Sequence, residues 1–152
     1  MIQRIQTIWL LLATLTICCL FFIPVVTAAD GAVSYKIIAS GLYKTAGGET
    51  TQIESYLALM ISTIATALMC FVNIFNFKKR TAQKRIILAN ISFMIGLAFW
   101  NNIYAKKIPG GSEVINYSLG AILPIIAILF AVLALKGIVN DEKLLRSADR
   151  LR

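Results

Sequence analysis

The sequence predicts an all-α membrane protein: four transmembrane helices joined by short loops, with a juxtamembrane helix at the C-terminus. Three observations carry that prediction. Of the 152 residues 59% are apolar and only 14% charged, with a mean hydropathy of +0.79. A soluble domain carries roughly 25% charged residues. The apolar residues fall into four runs long enough to cross a hydrocarbon layer of ~30 Å at about 1.5 Å per residue. The cations gather beside those runs on one side.

The organising stretch is Lys78-Lys79-Arg80-Thr81-Ala82-Gln83-Lys84-Arg85, a tight basic turn between two apolar runs. The spacing predicts spans at 8–26, 53–77, 86–105 and 117–139 of a single domain covering 1–152. One side of the membrane then holds Arg4, the five cations of the turn, Lys136, Lys143, Arg146, Arg150 and Arg152, against Asp141, Glu142 and Asp149. On the other side Lys36, Lys44, Lys106 and Lys107 balance Asp30, Glu49, Glu54 and Glu113. Short loops rich in Lys and Arg stay in the cytoplasm. Both termini and the basic turn are therefore expected on the cytoplasmic side. No stacking aromatics interleave the cations, so direct DNA binding is not expected.

The first span, 8–26, is uncharged, and Pro24 favours a stop near its outer end. Arg4, the apolar run and Val26-Thr27-Ala28 also have the order of a signal peptide; a retained signal-anchor is expected. Residues 27–52 read as a long external loop, with Val33, Tyr35 and Ile37 alternating as in a short strand or an interfacial segment. Gly41, Gly47 and Gly48 punctuate it. In the second span Ala58, Ser62 and Thr66 make a stripe of small residues that lets a helix approach closely. The third span carries Ser92 and Gly96 in the same relation, and Trp100 and Tyr104 at the expected depth of an aromatic belt. Pro109-Gly110-Gly111 turns the chain, and the fourth span offers Ala127, Ala131 and Ala134 as a small face. In the tail, Leu144, Leu145, Ala148 and Leu151 share a helical face, and Glu142 precedes Arg146 by one turn.

The chemistry on offer is limited. No acid lies in the first span, where small multidrug transporters carry one, and none lies at mid-span for a proton relay. Cys18, Cys19 and Cys70 sit in apolar runs as small hydrophobes. There is no histidine, no metal-ligand spacing and no phosphate-cradling loop. The expectation is a non-enzyme without cofactor. The polar residues at depth, Ser62, Asn73, Asn90 and Asn101, read as interhelical glue, each bond contributing about 0.6–2 kcal/mol. Asn73 and Asn90 lie equally far from the turn and are expected to pair; Ser62 and Asn101 match in the same way. The tail mixes signs around its leucines, which suits a partner more than a lipid surface. Leu144, Leu145, Arg146, Arg150 and Leu151 are its candidate partner-binding residues.

The opening MIQRIQTIWLLLA and the closing DEKLLRSADRLR, with LPIIAILFAVLALKGIV before it, resemble a small four-span inner-membrane family of Bacteroidota classed as a domain of unknown function. The resemblance covers the whole length. It implies an inner-membrane location and four helices, and it carries no activity, cofactor or catalytic residue. The function expected is that of a non-catalytic accessory or scaffold subunit of a larger membrane complex, in protein translocation or envelope assembly. The alternative is a small homo-oligomeric transporter or lipid-handling protein.

Overall fold

The computed structural model describes residues 3–30, 33–108 and 115–149. It corrects the all-α expectation. Among the described residues there are four α-helices, but a five-stranded antiparallel sheet caps one end of them, and the fold is mixed α/β. The elements run α1 (Gln3–Cys18), β1 (Val26–Asp30), β2 (Val33–Ile38), β3 (Gly41–Ala46), β4 (Glu49–Ser55), α2 (Leu57–Phe75), α3 (Arg80–Ala105), β5 (Ile115–Tyr117) and α4 (Leu123–Asp149).

The segment expected to be a loop is a four-stranded meander. Its residues are rich in Val, Thr, Tyr and Ile, which suit a pleated, half-buried surface. Gly47 and Gly48, at φ of 61° and 90°, form the two-residue turn between β3 and β4. Positive φ at both central residues matches the right-handed twist of the flanking strands. Gly41 starts β3 at φ 155°, and a Cβ there would lie 2.3 Å from the Glu54 carbonyl oxygen. β5, from the second outer loop, pairs with β1 in the register Val26↔Tyr117. The strand order is β4-β3-β2-β1-β5. The inward residues Val26, Ala28, Ile37 and Leu42 are buried with the core.

The sheet also moves the helix limits. Val26 belongs to β1, Ile53 to β4 and Tyr117 to β5, so the first, second and fourth helices begin or end inside the anticipated spans. Three helices are long and apolar enough to cross a membrane: Leu57–Phe75, Arg80–Ala105 and Leu119–Leu144. The first apolar helix, Ile5–Phe21, is shorter. The basic stretch is not all turn either. The reversal is made by a short 3-10 helix at Asn76–Lys78, and Arg80 to Arg85 already form the first turns of α3. α4 continues unbroken to Asp149, so there is no separate juxtamembrane helix among the described residues.

Each helix packs against two others: α1 and α3 both touch α2 and α4. The buried positions follow one rule. They recur at alternating spacings of three and four: Gln6, Leu10, Ala13, Ile17 on α1; Leu59, Thr63, Thr66, Cys70, Asn73 on α2; Gln83, Ile87, Asn90, Met94, Leu97, Asn101 on α3; Pro124, Ala127, Ala131, Ala134, Ile138, Asp141 on α4. This is the seam of a left-handed bundle. At this seam α4 offers Ala127, Ala131 and Ala134 and α1 offers Leu10 and Ile17, all buried. Trp9 stacks on Phe130 across the same interface, with centroids 5.7 Å apart. The outward faces bear Ile61, Leu68, Phe75, Phe99 and Leu129, all exposed. With these residues outward, the three long helices are apolar enough on their exposed faces to cross a membrane.

Candidate functional site

The seam turns polar at the basic end of the bundle. One buried polar side chain comes from each helix there: Gln6, Asn73, Gln83 and Asp141. They act in two pairs. Gln6 Nε2 donates to Asp141 Oδ2 at 2.5 Å. Asn73 Nδ2 donates to the Gln83 carbonyl oxygen at 3.3 Å, and Gln83 Nε2 donates to the Asn73 carbonyl oxygen at 3.4 Å. The second pair clamps the α2–α3 reversal: the Asn73 carbonyl lies in the last turn of α2, where carbonyls lack α-helical donors, and it accepts from the Asn76 N–H as well. Beside this layer Lys84 forms an ion pair with Glu142, each side chain 26% exposed. The pair joins α3 to α4. A further close approach is set by Gly137, where a Cβ would come 3.0 Å from Gln6 Cγ.

These contacts revise the reading of the tail and of the hairpin. Asp141 is 8% exposed and faces inward; it is not part of a solvated tail. Glu142 bridges to Lys84 on α3. Asn73 takes Gln83 as its partner, in place of Asn90. Asn90 instead lies with Thr14 against the Cys70 thiol, where α1, α2 and α3 meet. The seam spacing is the signal that finds Gln6 and Asp141. Each continues its helix's three-and-four pattern by one more step, past the last apolar residue.

At the sheet end Asn101 is buried on α3, with Nδ2 donating to the Leu97 carbonyl oxygen at 2.9 Å. It lines a cavity of about 210 Å³ with Val25, Asn102, Tyr117, Ala121 and Pro124 among its neighbours. Tyr56 stacks on Tyr104 with centroids 3.9 Å apart, and Tyr104 faces Trp100 at 6.4 Å. The Lys107 ammonium stands 5.1 Å from the Tyr104 ring centroid, within cation–π range. This ladder runs along the junction between bundle and sheet, at the end that the sequence assigns to an aromatic belt.

Ser62 lies elsewhere. Its Oγ donates to the Leu59 carbonyl oxygen at 2.9 Å, and it lines an apolar groove of about 270 Å³ with Ser92, Phe93, Gly96, Leu97 and Trp100. Ser62 and Asn101 therefore face different cavities. Thr63 and Thr66 also donate to carbonyls of their own helix, at 2.7 Å each. Of the tail candidates, Leu144 is exposed on α4. Leu145 and Arg146 belong to the same helix, with side chains outside the described set, and Arg150 and Leu151 lie outside the described residues. Among the described residues no group of His, Cys, Asp and Glu is placed to hold a metal ion.

Among the described residues the buried polar side chains are amides, hydroxyls and one carboxylate, Asp141, which Gln6 engages. No curated protein matches the chain. A family model described as "Domain of unknown function (DUF4293)" matches residues 2–151. That match spans nearly the whole chain, helices and sheet alike, and the protein belongs to this family.

Proposed function

We propose that this protein is a non-catalytic integral inner-membrane protein that serves as an accessory or scaffold subunit of a larger membrane complex. In the proposed orientation the basic end and both termini are cytoplasmic, and the sheet stands on the outer surface. The surplus of Lys and Arg at the basic end supports that orientation. The observation that carries the scaffold reading is β4. It is an edge strand of seven residues, every one exposed, with a free row of backbone donors and acceptors on its outer side. Edges of this kind accept an added strand from a partner. A bulge opposite Leu42 and Tyr43 leaves Ile53 without a cross-strand mate, and Ile53 is 53% exposed. The strand's charges are Glu49 and Glu54 alone, so the segment it fits is extended and carries cations beside an apolar residue.

The partner-binding role of the tail belongs to the same proposal, as a second contact at the opposite end. Photo-crosslinking amino acids at Thr50, Gln52 and Glu54, and separately at Leu144, Arg146 and Arg150, test both in living cells. One membrane protein captured in stoichiometric yield from β4 is the expected result. Adducts limited to lipid and to this chain at all three β4 positions would overturn the scaffold reading at the sheet. The same outcome at the three tail positions would leave the tail as a structural cap.

A further inference from the structure

Gly96 has no packing reason among the described residues to be glycine. It lies in the interior of α3, and its φ is not one of the positive ones. A Cβ there would meet nothing within 4 Å. Glycine weakens a helix interior relative to alanine, so the missing side chain leaves a space that the protein itself does not fill. That space belongs to the groove of about 270 Å³ between α2 and α3. Ser62 and Ser92 line it, and each hydroxyl donates to a carbonyl of its own helix, Leu59 and Leu88. The wall offered to an occupant is therefore mainly hydrocarbon and ring: Phe93, Leu97 and Trp100.

The shape of the groove selects among apolar occupants. Phe93 and Trp100 stand about one turn before and after Gly96, on the same side of α3, and both are exposed. Two helices approach closely only where small residues lie together, so these rings hold another helix off. A single hydrocarbon chain is narrow enough to lie between them. From Ser92 to Trp100 the helix rises about 12 Å at 1.5 Å per residue. The volume equals roughly nine waters at ~30 Å³ each in the liquid, and a chain methylene takes about as much room as a water.

Towards the sheet the apolar groove gives way to rings and then to charge. Trp100 lies 6.4 Å from Tyr104, and Tyr104 stacks on Tyr56 at the head of α2. The Lys107 ammonium stands 5.1 Å from the Tyr104 ring centroid, with Lys106 exposed beside it. Glu54 reaches Tyr56, so at this level two cations stand against that carboxylate. Hydrocarbon, aromatic belt and cation follow one another in the order of a phospholipid's chain, ester and phosphate.

We infer that the groove holds one acyl chain of an anionic phospholipid in the leaflet at the sheet end, with the lipid phosphate beside Lys106 and Lys107. An ammonium offers donors alone, which suits phosphate oxygens. The inference stands apart from the scaffold reading, since the groove is lined by α2 and α3 and takes nothing from β4.

Phosphatidylglycerol and phosphatidylcholine with identical chains separate the headgroup from the chain. Purified full-length protein in mixed micelles, examined by native mass spectrometry, is expected to retain the glycerol lipid about tenfold over the choline lipid. Equal retention would overturn the anionic assignment. Gly96→Leu fills the groove from a position with open space, and a folded variant is expected to retain about tenfold less of both lipids. Should it fail to fold, Ser92→Leu fills the groove from one turn away with the same expected loss. Unchanged retention in either folded variant would overturn the site. The double variant Lys106→Gln, Lys107→Gln is expected to lose the preference while keeping the choline lipid; a preference that persists would overturn the role of the two lysines. Glycerophosphoglycerol, the headgroup without chains, is expected not to displace the lipid, and displacement would assign the site to a soluble anion. A photo-crosslinking amino acid at Phe93 in living cells is expected to capture lipid, and a protein adduct there would overturn lipid as the occupant.

Discussion

Gln6 and Asp141 are 135 residues apart in sequence and 2.5 Å apart in the bundle. One enters at the start of α1 and the other leaves near the end of α4, so their bond ties the two ends of the chain together. Both side chains are buried, and the Gln6 amide donates to the Asp141 carboxylate. The consequence for stability is asymmetric. Removing the amide leaves a buried carboxylate short of a donor, whereas removing both groups leaves only apolar surface.

Gln6→Leu is therefore expected to destabilise the protein by about 1–3 kcal/mol. The double variant Gln6→Leu, Asp141→Leu is expected to recover much of that loss. Unfolding of the purified protein in mixed micelles, followed by helical circular dichroism, measures both. A double variant as unstable as the sum of the singles would mean that the two side chains do not interact.

Asn73 and Gln83 each hold the other's backbone, so each substitution by alanine is expected to cost about 1 kcal/mol. Asn90 has no bond to Asn73. A double-mutant cycle on Asn73 and Asn90 is expected to be additive within about 0.5 kcal/mol. Coupling well above that would restore the pairing expected from equal depth.

Gly41→Ala is expected to release the edge of the sheet and spare the bundle. Its φ of 155° disfavours any side chain, and the new Cβ would collide with the Glu54 carbonyl. Hydrogen exchange should accelerate across β3 and β4, with the amides of α2 and α3 unchanged. At Gly47 a Cβ meets nothing within 4 Å, so alanine there costs only the left-handed backbone, roughly 1 kcal/mol. Equal effects at the two positions would argue against the close approach.

Single cysteines at Ser34 and Thr81, both exposed, test the orientation in a background without Cys18, Cys19 and Cys70. An impermeant thiol reagent on cells with a permeabilised outer membrane is expected to label Ser34→Cys and spare Thr81→Cys. The reverse pattern would invert the proposed topology.

The helices were legible because each carries a long apolar run, and the hairpin because Lys78 to Arg85 interrupts two of them. The sheet was legible only in fragments. Val33, Tyr35 and Ile37 alternate, and Gly47-Gly48 has the chemistry of a two-residue hairpin, yet β1 begins inside an apolar run that continues α1 without a break in hydropathy. Val25 and Val26 read equally well as the end of a helix or the start of a strand; Pro24 and the pairing with Ile37 decide it. β5 has only three residues and takes its structure from β1. Of the polar layer Asn73 is legible and Gln6, Gln83 and Asp141 are not, because distance along an apolar run does not give depth; Asp141 is inside because of its place in the three-and-four spacing. The pairing of Asn73 with Gln83 depends on α3 starting at Arg80, six residues before the apolar run suggests.

β5 reaches its place last. The strands β1 to β4 follow one another in the chain and meet as hairpins, each of which forms in about 1–10 μs. Ile115 leaves the ribosome only after all of α2 and α3, which at about 5–20 residues per second takes on the order of ten seconds. For that interval the nascent protein shows β1 as a second open edge, opposite β4. Completion of the sheet thus reports that the connection between α3 and α4 has reached β1. A chain stalled before that point displays a strand that the finished molecule hides, a mark by which quality control can tell an unfinished copy from a mature one.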